Sequence, residues 1–355
     1  GWKGLLLAPI TPISSVVGFF RGEFNLMGGV LTKRSEYQTS LGKLQPYRGI
    51  AYTFSNILPN GITAGPDGDL WFTYGFRSSN GGGIGQVTLD GSLKKYPLPA
   101  STSNRAPQSI TKGSDGNIWF TIPGNVTLFA PDGPPPVPGQ IGRITPSGSI
   151  KLFPATKSAS NPVMVAPGPD GNIWFTDTDG SIGRITPQGQ VTEFATGATP
   201  YGGIVAGKDG NMWFGAVGRI GKITMSGQVT MFTQDVCPNV STCDLAVGPD
   251  NNVWFTDGGN GFIGRMSADG RLTKFPVDNG PWAIAAGSDG ALWFAGEGSS
   301  SSHTLGRITQ SGAVTFPVSN TPKFRPSDLT VGPDGDLWLA GENATGQAII
   351  WRVAV

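Results

Sequence analysis

Charged and titratable side chains are scarce in this chain. Of its 355 residues, 14% are Asp, Glu, Lys or Arg, the formal net charge is +1, and His303 is the single histidine. A near-neutral surface gives no reason to expect nucleic acid as a partner. One histidine excludes a metal site built from several histidines. It also leaves a catalytic triad one candidate base, and His303 lies in a serine-rich stretch that we expect to be a solvated loop.

Long apolar runs and cysteines are also lacking. No stretch of about 20 apolar residues is present, so we expect no transmembrane helix. The two cysteines, Cys237 and Cys243, lie close together, which favours a local disulfide outside the cytosol, with two free thiols as the alternative. Glycosylation sequons begin at Asn125, Asn239 and Asn343. Low charge, few cysteines and loops rich in Gly, Ser and Thr together predict a secreted protein, extracellular or periplasmic. The first residue is glycine, which fits either removal of a signal peptide or a start that is not the natural one.

Glycine and proline are abundant, with 55 and 29 copies, which is typical of disorder or of an all-β fold with many turns. An internal repeat favours the all-β fold. The stretch Gly168–Asp177, GPDGNIWFTD, recurs seven times with small changes, and each copy has an aspartate four residues before a tryptophan. The seven tryptophans are Trp71, Trp119, Trp174, Trp213, Trp254, Trp293 and Trp338. We interpret them as core residues rather than as an aromatic binding site.

Each repeat predicts four short strands separated by tight turns. In the third copy these are Val165–Pro167, Asn172–Thr176, Ile182–Thr186 and Gln190–Phe194. Four strands in about 40 residues predict an all-β, seven-bladed propeller of four-stranded antiparallel blades. The last repeat lacks its fourth strand, and residues 49–54 have the right pattern to supply it and close the ring.

Residues 1–48 do not fit the repeat and form an N-terminal extension to a propeller at residues 49–355. The extension contains apolar patches that need cover. It therefore packs on its own propeller, or it adds a strand to a neighbouring copy of the chain. The second arrangement makes the protein a partner of itself.

The long, variable connections between strands fall on one face of the predicted disc, so we expect the functional site there, at the entrance of the central channel. The repeat register predicts that the binding residues at this entrance are Asn60, Gln108, Tyr201, Trp282 and Ser327. It also places Val163 and Cys243 there, with Asp244 beside Cys243 and Asp328 beside Ser327. Four other carboxylates end second strands: Asp177, Asp257, Glu297 and Glu342. A Mg²⁺ or Ca²⁺ site is one interpretation of these carboxylates, and solvated loop charges are the other. No other cofactor is expected.

The motif GPDGNIWFTD, followed by IGRITPQGQVTEF, resembles the virginiamycin B lyase (streptogramin lyase) family over about residues 49–355. The resemblance implies a seven-bladed propeller that opens a cyclic depsipeptide antibiotic by elimination. It also implies a histidine base and a Mg²⁺ ion held partly by glutamates. By position, the histidines correspond to Trp282 and Ser327, and one glutamate corresponds to Arg325. Glu342 alone matches a metal-binding glutamate.

Proton abstraction needs a base, and both expected bases are replaced. We therefore favour a non-enzymatic secreted propeller that acts in assembly, as oligomers or filaments built through residues 1–48, or in binding. One alternative is a diverged metal-dependent lyase with a relocated site, for which His303 is a weak candidate base. The other alternative is a carbohydrate- or peptide-binding propeller that uses Trp282 and Tyr201 at the channel entrance.

Overall fold

The computed structural model describes residues 51–355 apart from residues 77–80, 100–104, 125–136, 156–159, 234, 239–242, 279, 297–304, 319–323 and 344. It also gives the backbone of residues 22–27, 30–37 and 49–50. Residues 233 and 324 are likewise described as backbone alone. The described residues form thirty β-strands. Among them no helix is long and apolar enough to cross a membrane.

The strands follow one another as a repeating series. The N-terminal segment and the first blade contain β1 (Gly22–Met27), β2 (Val30–Tyr37), β3 (Gly49–Phe54), β4 (Ile57–Ala64), β5 (Leu70–Phe76), β6 (Gly82–Val87) and β7 (Leu93–Pro97). The second and third blades contain β8 (Ile110–Lys112), β9 (Ile118–Ile122), β10 (Gln140–Ile144), β11 (Ile150–Pro154), β12 (Pro162–Pro167), β13 (Ile173–Asp177), β14 (Ser181–Ile185) and β15 (Val191–Ala195).

The second half of the chain continues the same series. The fourth and fifth blades contain β16 (Pro200–Ala206), β17 (Met212–Ala216), β18 (Arg219–Ile223), β19 (Val229–Thr233), β20 (Leu245–Val247), β21 (Val253–Asp257), β22 (Phe262–Met266) and β23 (Leu272–Pro276). The sixth and seventh contain β24 (Pro281–Ala286), β25 (Leu292–Gly296), β26 (Leu305–Ile308), β27 (Val314–Thr315), β28 (Phe324–Val331), β29 (Leu337–Asn343) and β30 (Ala348–Val353).

Six blades are separate four-stranded antiparallel sheets, and the seventh is closed by a strand from the other end of the chain. In that sheet the strand order is β1-β2-β3-β30-β29-β28, and β3 pairs with β30 from Gly49↔Val353 to Phe54↔Ala348. The predicted seven-bladed propeller and its closure by residues 49–54 are confirmed. Strands β1 and β2 form a hairpin that pairs with β3 and extends this sheet outward. Exchange of residues 1–48 between subunits stays a prediction.

The repeated motif builds one polar and aromatic stack in each blade. In the third blade, Trp174 is fully buried, its Nε1 donates to Asp170 at 3.0 Å, and its ring stacks on Phe194 with 5.6 Å between centroids. The Arg184 guanidinium lies over the Trp174 ring, 3.5 Å from Asp170, and donates to the Met225 carbonyl of the next blade at 3.0 Å. The invariant spacing of Asp and Trp therefore reflects packing, as the sequence predicted.

In six blades the third strand has a glycine after an aliphatic residue, and a close ring contact explains the glycine. A Cβ atom on Gly183 would lie 2.0 Å from the ring of Phe175, which packs flat against the glycine from the paired strand. No side chain fits there without displacing the ring. The aromatic of the second strand and the glycine of the third are therefore coupled requirements of the blade.

Candidate functional site

The first strand bulges where it reaches the channel, and in the first and second blades a threonine of the second strand bonds to the next blade. Thr73 Oγ1 accepts a hydrogen bond from Gly61 N at 2.9 Å and donates to the Gln108 carbonyl of the second blade. Thr121 Oγ1 donates to the Val163 carbonyl in the same way, at 2.7 Å. Hydrogen bonds from threonine hydroxyls to backbone carbonyls thus join neighbouring blades at the channel entrance.

These bulges surround a cavity of about 250 Å³ at the centre of the ring, to which all seven blades contribute. Its lining residues are Asn60, Gly61, Gln108, Ser109, Val163, Met164, Tyr201, Gly202, Gly203, Cys243, Asp244, Trp282, Ala283, Ser327 and Asp328. The structure therefore brings together the five predicted binding residues with Val163 and Cys243, and the role of the five in binding stays a prediction. The polar groups among them contact neighbouring blades, because Asn60 Nδ2 donates to Pro107 O at 2.9 Å and Ser327 Oγ donates to Pro59 O at 3.0 Å.

Tyr201 lies one position earlier in the repeat register than the other four predicted entrance residues. It still reaches the cavity because the fourth blade has a longer bulge. Between Pro200↔Ala216 and Ile204↔Phe214, three residues of the first strand face one residue of the second. In the third blade, between Pro162↔Asp177 and Val165↔Phe175, two residues face one. The extra residue adds a half-buried tyrosine to the cavity wall.

Trp282 differs from the other tryptophans that the structure describes. The seven repeat tryptophans and Trp351 are at most 2% exposed. Trp282, in contrast, is half-buried and lines the cavity. Its carbonyl accepts from Thr256 Oγ1 at 3.2 Å, which fixes the backbone at this point. A tryptophan held by its backbone at a cavity wall provides an apolar, aromatic contact surface for a ligand.

Two aspartates in the cavity wall join blades through backbone amides. Asp244 accepts from Leu245 N and from Ile284 N of the sixth blade, both at 2.9 Å. Asp328 accepts from Leu329 N at 2.7 Å and from Ile62 N of the first blade at 2.8 Å, so it links the two ends of the ring. The repeat register predicted that both aspartates lie beside the entrance, but it predicted no role for them.

Burial raises the pKa of Asp244 to about 6 and the pKa of Asp328 to about 8, and the charge of Asp244 further raises the pKa of Asp328. The native state then holds protons that the unfolded chain, with ordinary carboxyl pKa values, has released. The free energy of unfolding should therefore fall as the pH rises from about 4 to about 8.

We expect Asp328→Asn to flatten this pH dependence. The difference in free energy of unfolding between the variant and the wild type should shift in favour of the variant by at least about 1.4 kcal/mol from about pH 5 to about pH 8.5, the equivalent of one pKa unit. Urea unfolding at the two pH values measures the change. Asp278→Asn, at an exposed position, controls for loss of one charge. Parallel pH curves for wild type and Asp328→Asn would contradict the expectation.

A family model described as the virginiamycin B lyase family matches residues 37–129 and 136–350. The chain belongs to the virginiamycin B lyase family. Virginiamycin B lyase from Nocardia farcinica is 29% identical over 186 residues, which are 50% of this chain and 61% of that relative. The aligned part thus spans about three-fifths of that relative's length.

Solved structures from the same family have the same fold. A crystal structure of virginiamycin B lyase from Staphylococcus aureus is 30% identical, with a TM-score of 0.72, and the match covers 87% of this chain and 99% of that one. A catalytically inactive histidine-to-alanine variant of the S. aureus lyase, crystallised with quinupristin, matches at 28% identity with a TM-score of 0.71, covering 87% and 99% of the two chains.

The residues present do not fit the Mg²⁺ that the resemblance implies. At the position of one expected glutamate stands Arg325, whose Nη1 lies 4.0 Å from Glu342 Oε1. The carboxylate that matches a metal ligand of the virginiamycin B lyases therefore already has a cationic partner, and a guanidinium cannot itself ligate a cation.

The other carboxylates proposed as metal ligands accept hydrogen bonds from nearby connections between strands. Asp177 is buried and accepts from Ser160 Oγ, from Asn161 N at 2.8 Å and from Asp179 N at 3.1 Å. Asp257 is buried and accepts from Cys237 N at 2.8 Å. Three carboxylates with ligand atoms within 4.8 Å of one another are Asp177, Asp179 and Glu193 of the third blade. Asp257 and Glu342 do not belong to this group, so the described residues do not bring the predicted carboxylates together around one ion.

The predicted disulfide between Cys237 and Cys243 is present. It ties the connection between the fourth and fifth blades to the cavity wall, where Cys243 O accepts from Gly203 N at 2.7 Å. Glu297 and His303 lie outside the described residues, as do the sequons at Asn125 and Asn239.

Proposed function

We propose that this protein binds a peptide or depsipeptide at the channel entrance and does not cleave it. The observation that carries the proposal is the identity of two residues in the cavity wall. Where the resemblance to the lyases implies histidine bases, the wall has Trp282 and Ser327, and the Ser327 hydroxyl donates to the Pro59 carbonyl. Neither side chain can abstract a proton at neutral pH.

The cavity keeps features that favour binding. Trp282 and Tyr201 supply aromatic surface, and Asn60 and Gln108 supply amide groups that complement a peptide backbone. The S. aureus relative that lacks one histidine is described as catalytically inactive and was crystallised with quinupristin. That relative supports the idea that a propeller of this family can hold its ligand without catalysis. The disulfide supports a location outside the cytosol.

Quinupristin is the first probe for this proposal. We expect a saturable change in the fluorescence of Trp282, since the other described tryptophans are buried, and no opened product by liquid chromatography with mass detection. Trp282→Phe should remove the fluorescence change. Magnesium-dependent opening of the antibiotic, lost in Glu342→Ala, would establish the lyase alternative instead. Absence of binding by equilibrium dialysis would overturn the binding proposal.

Assembly is a second candidate function, and the hairpin at the outside of the seventh blade favours it. Strand β1 forms the outer edge of a six-stranded sheet, and such an edge presents backbone groups that can pair with another strand. A second copy of the chain is the partner we propose for it. Light scattering of the whole chain, compared with a chain that lacks β1 and β2, tests this role.

A further inference from the structure

A second cavity adjoins the channel entrance, between the seventh and first blades. Its volume is about 260 Å³, and it shares Asn60, Trp282 and Ser327 with the first cavity. Its remaining polar side chains are Arg325 and Glu342. A ligand that lies against Trp282 at the entrance can therefore extend one end into a compartment that carries a guanidinium group.

The strand pairing places this guanidinium beside a carboxylate. Arg325 of β28 is directly opposite Glu342 of β29 in the register, so the two side chains lie side by side on one face of the sheet. Arg325 Nη1 lies 4.0 Å from Glu342 Oε1, and the Arg325 side chain is 66% exposed whereas that of Glu342 is 30% exposed. Glu342 thus lies beside the arginine, and most of the Arg325 side chain remains accessible to a ligand.

An oriented guanidinium recognises one chemical group above others. Its N–H donors form a planar fork that matches the two oxygens of a carboxylate, and the fixed charge requires no metal ion. Glu342 offsets the charge of Arg325 in the free protein, so an incoming carboxylate shares the guanidinium with an existing partner. The tryptophan and the amide of Asn60 flank this position and suit the last residue of a peptide.

We propose that the cavity beside Arg325 and Glu342 binds the free carboxylate of a linear peptide, without a divalent ion. The inference rests on the proposed binding function and gives it a ligand class. It also explains why a cation site fails here, because Arg325 supplies the positive charge that a metal ion would otherwise bring to Glu342.

The test uses the full chain and two probes that differ in one group, N-acetyl-Phe-Ala-Gly with a free carboxylate and the same peptide as its carboxamide. Binding is followed by Trp282 fluorescence and by equilibrium dialysis, with EDTA present. We expect the acid to bind about tenfold more tightly than the amide, as a charge-assisted hydrogen bond allows. Arg325→Gln should abolish the difference, and Arg271→Gln, at an exposed turn, should preserve it.

A second variant tests the metal-free character of the site. Arg325→Glu places two carboxylates opposite each other on β28 and β29. We expect the variant to bind Mn²⁺ beyond any binding by the wild type, measured by electron paramagnetic resonance. Equal affinities for acid and amide would overturn the inference, as would a preference that survives in Arg325→Gln or that needs added metal. Quinupristin binding would still support the proposed function in each of these cases. Loss of binding for every probe, quinupristin included, would remove both.

Discussion

A chain that begins at Asn56 is expected to be insoluble or unfolded, whereas a chain that begins at Arg48 is expected to fold. The first lacks β3, which pairs along its whole length with β30 and completes the seventh blade. Tyr52 of β3 stacks on Trp338 with 5.9 Å between the ring centroids, and its hydroxyl donates to the Leu89 carbonyl of the first blade at 3.1 Å. Strand β3 thus belongs to the seam that joins the last blade to the first.

The expected size of the effect follows from what β3 buries. Tyr52 and Phe54 are each 2% exposed, and removal of a buried large aromatic costs about 3–5 kcal/mol. Two such losses approach the whole stability of an ordinary domain, about 5–15 kcal/mol. The deletion also leaves β30 as an unpaired, apolar edge that can pair with other chains.

Circular dichroism and light scattering distinguish the two truncated chains. The chain beginning at Arg48 is the matched control, because it loses the hairpin of β1 and β2 and keeps the ring closure. If both truncated chains fold equally well, β3 is not needed for closure. If the whole chain forms large assemblies and the chain beginning at Arg48 is a monomer, the hairpin carries the assembly function. Monomers in both cases would leave the channel entrance as the site to study.

The sequence predicted those parts of the fold that depend on local, repeated spacing. Asp170 and Trp174 are four residues apart and form the same hydrogen bond in each blade, so seven copies of one pattern specified the architecture. The closure by β3 was also predictable, because the last repeat visibly lacked a fourth strand that residues 49–54 could supply.

The candidate site depended on features that break the repeat, and these were predicted less well. Tyr201 was predicted at the entrance, but spacing alone does not show the longer bulge that brings it to the cavity. Asp177 and Asp257 looked like free carboxylates at the ends of strands. Their partners are backbone amides of Asn161 and Cys237, which come from connections whose path the sequence does not give. The role of such a carboxylate depends on which backbone amides the folded chain brings near it, and composition does not show this.

Trp254→Ala and Trp282→Ala should have opposite effects on stability and on binding. Trp254 is fully buried, its Nε1 donates to Asp250 at 2.9 Å, and its ring stacks on Phe275 with 5.3 Å between centroids. Its removal should lower the free energy of unfolding by about 3–5 kcal/mol. The loss also takes the ring contact from Arg265, so the whole stack of that blade is weakened.

The same substitution at Trp282 removes a half-buried ring from a cavity wall, where little of the core depends on it. We expect a cost in free energy of unfolding of at most about 1 kcal/mol and loss of quinupristin binding by equilibrium dialysis. Urea unfolding of both variants, measured beside the dialysis, separates the two roles. Should Trp282→Ala destabilise the protein as much as Trp254→Ala, the ring would be part of the core. The cavity would then lack the aromatic surface on which both the binding proposal and the carboxylate inference depend.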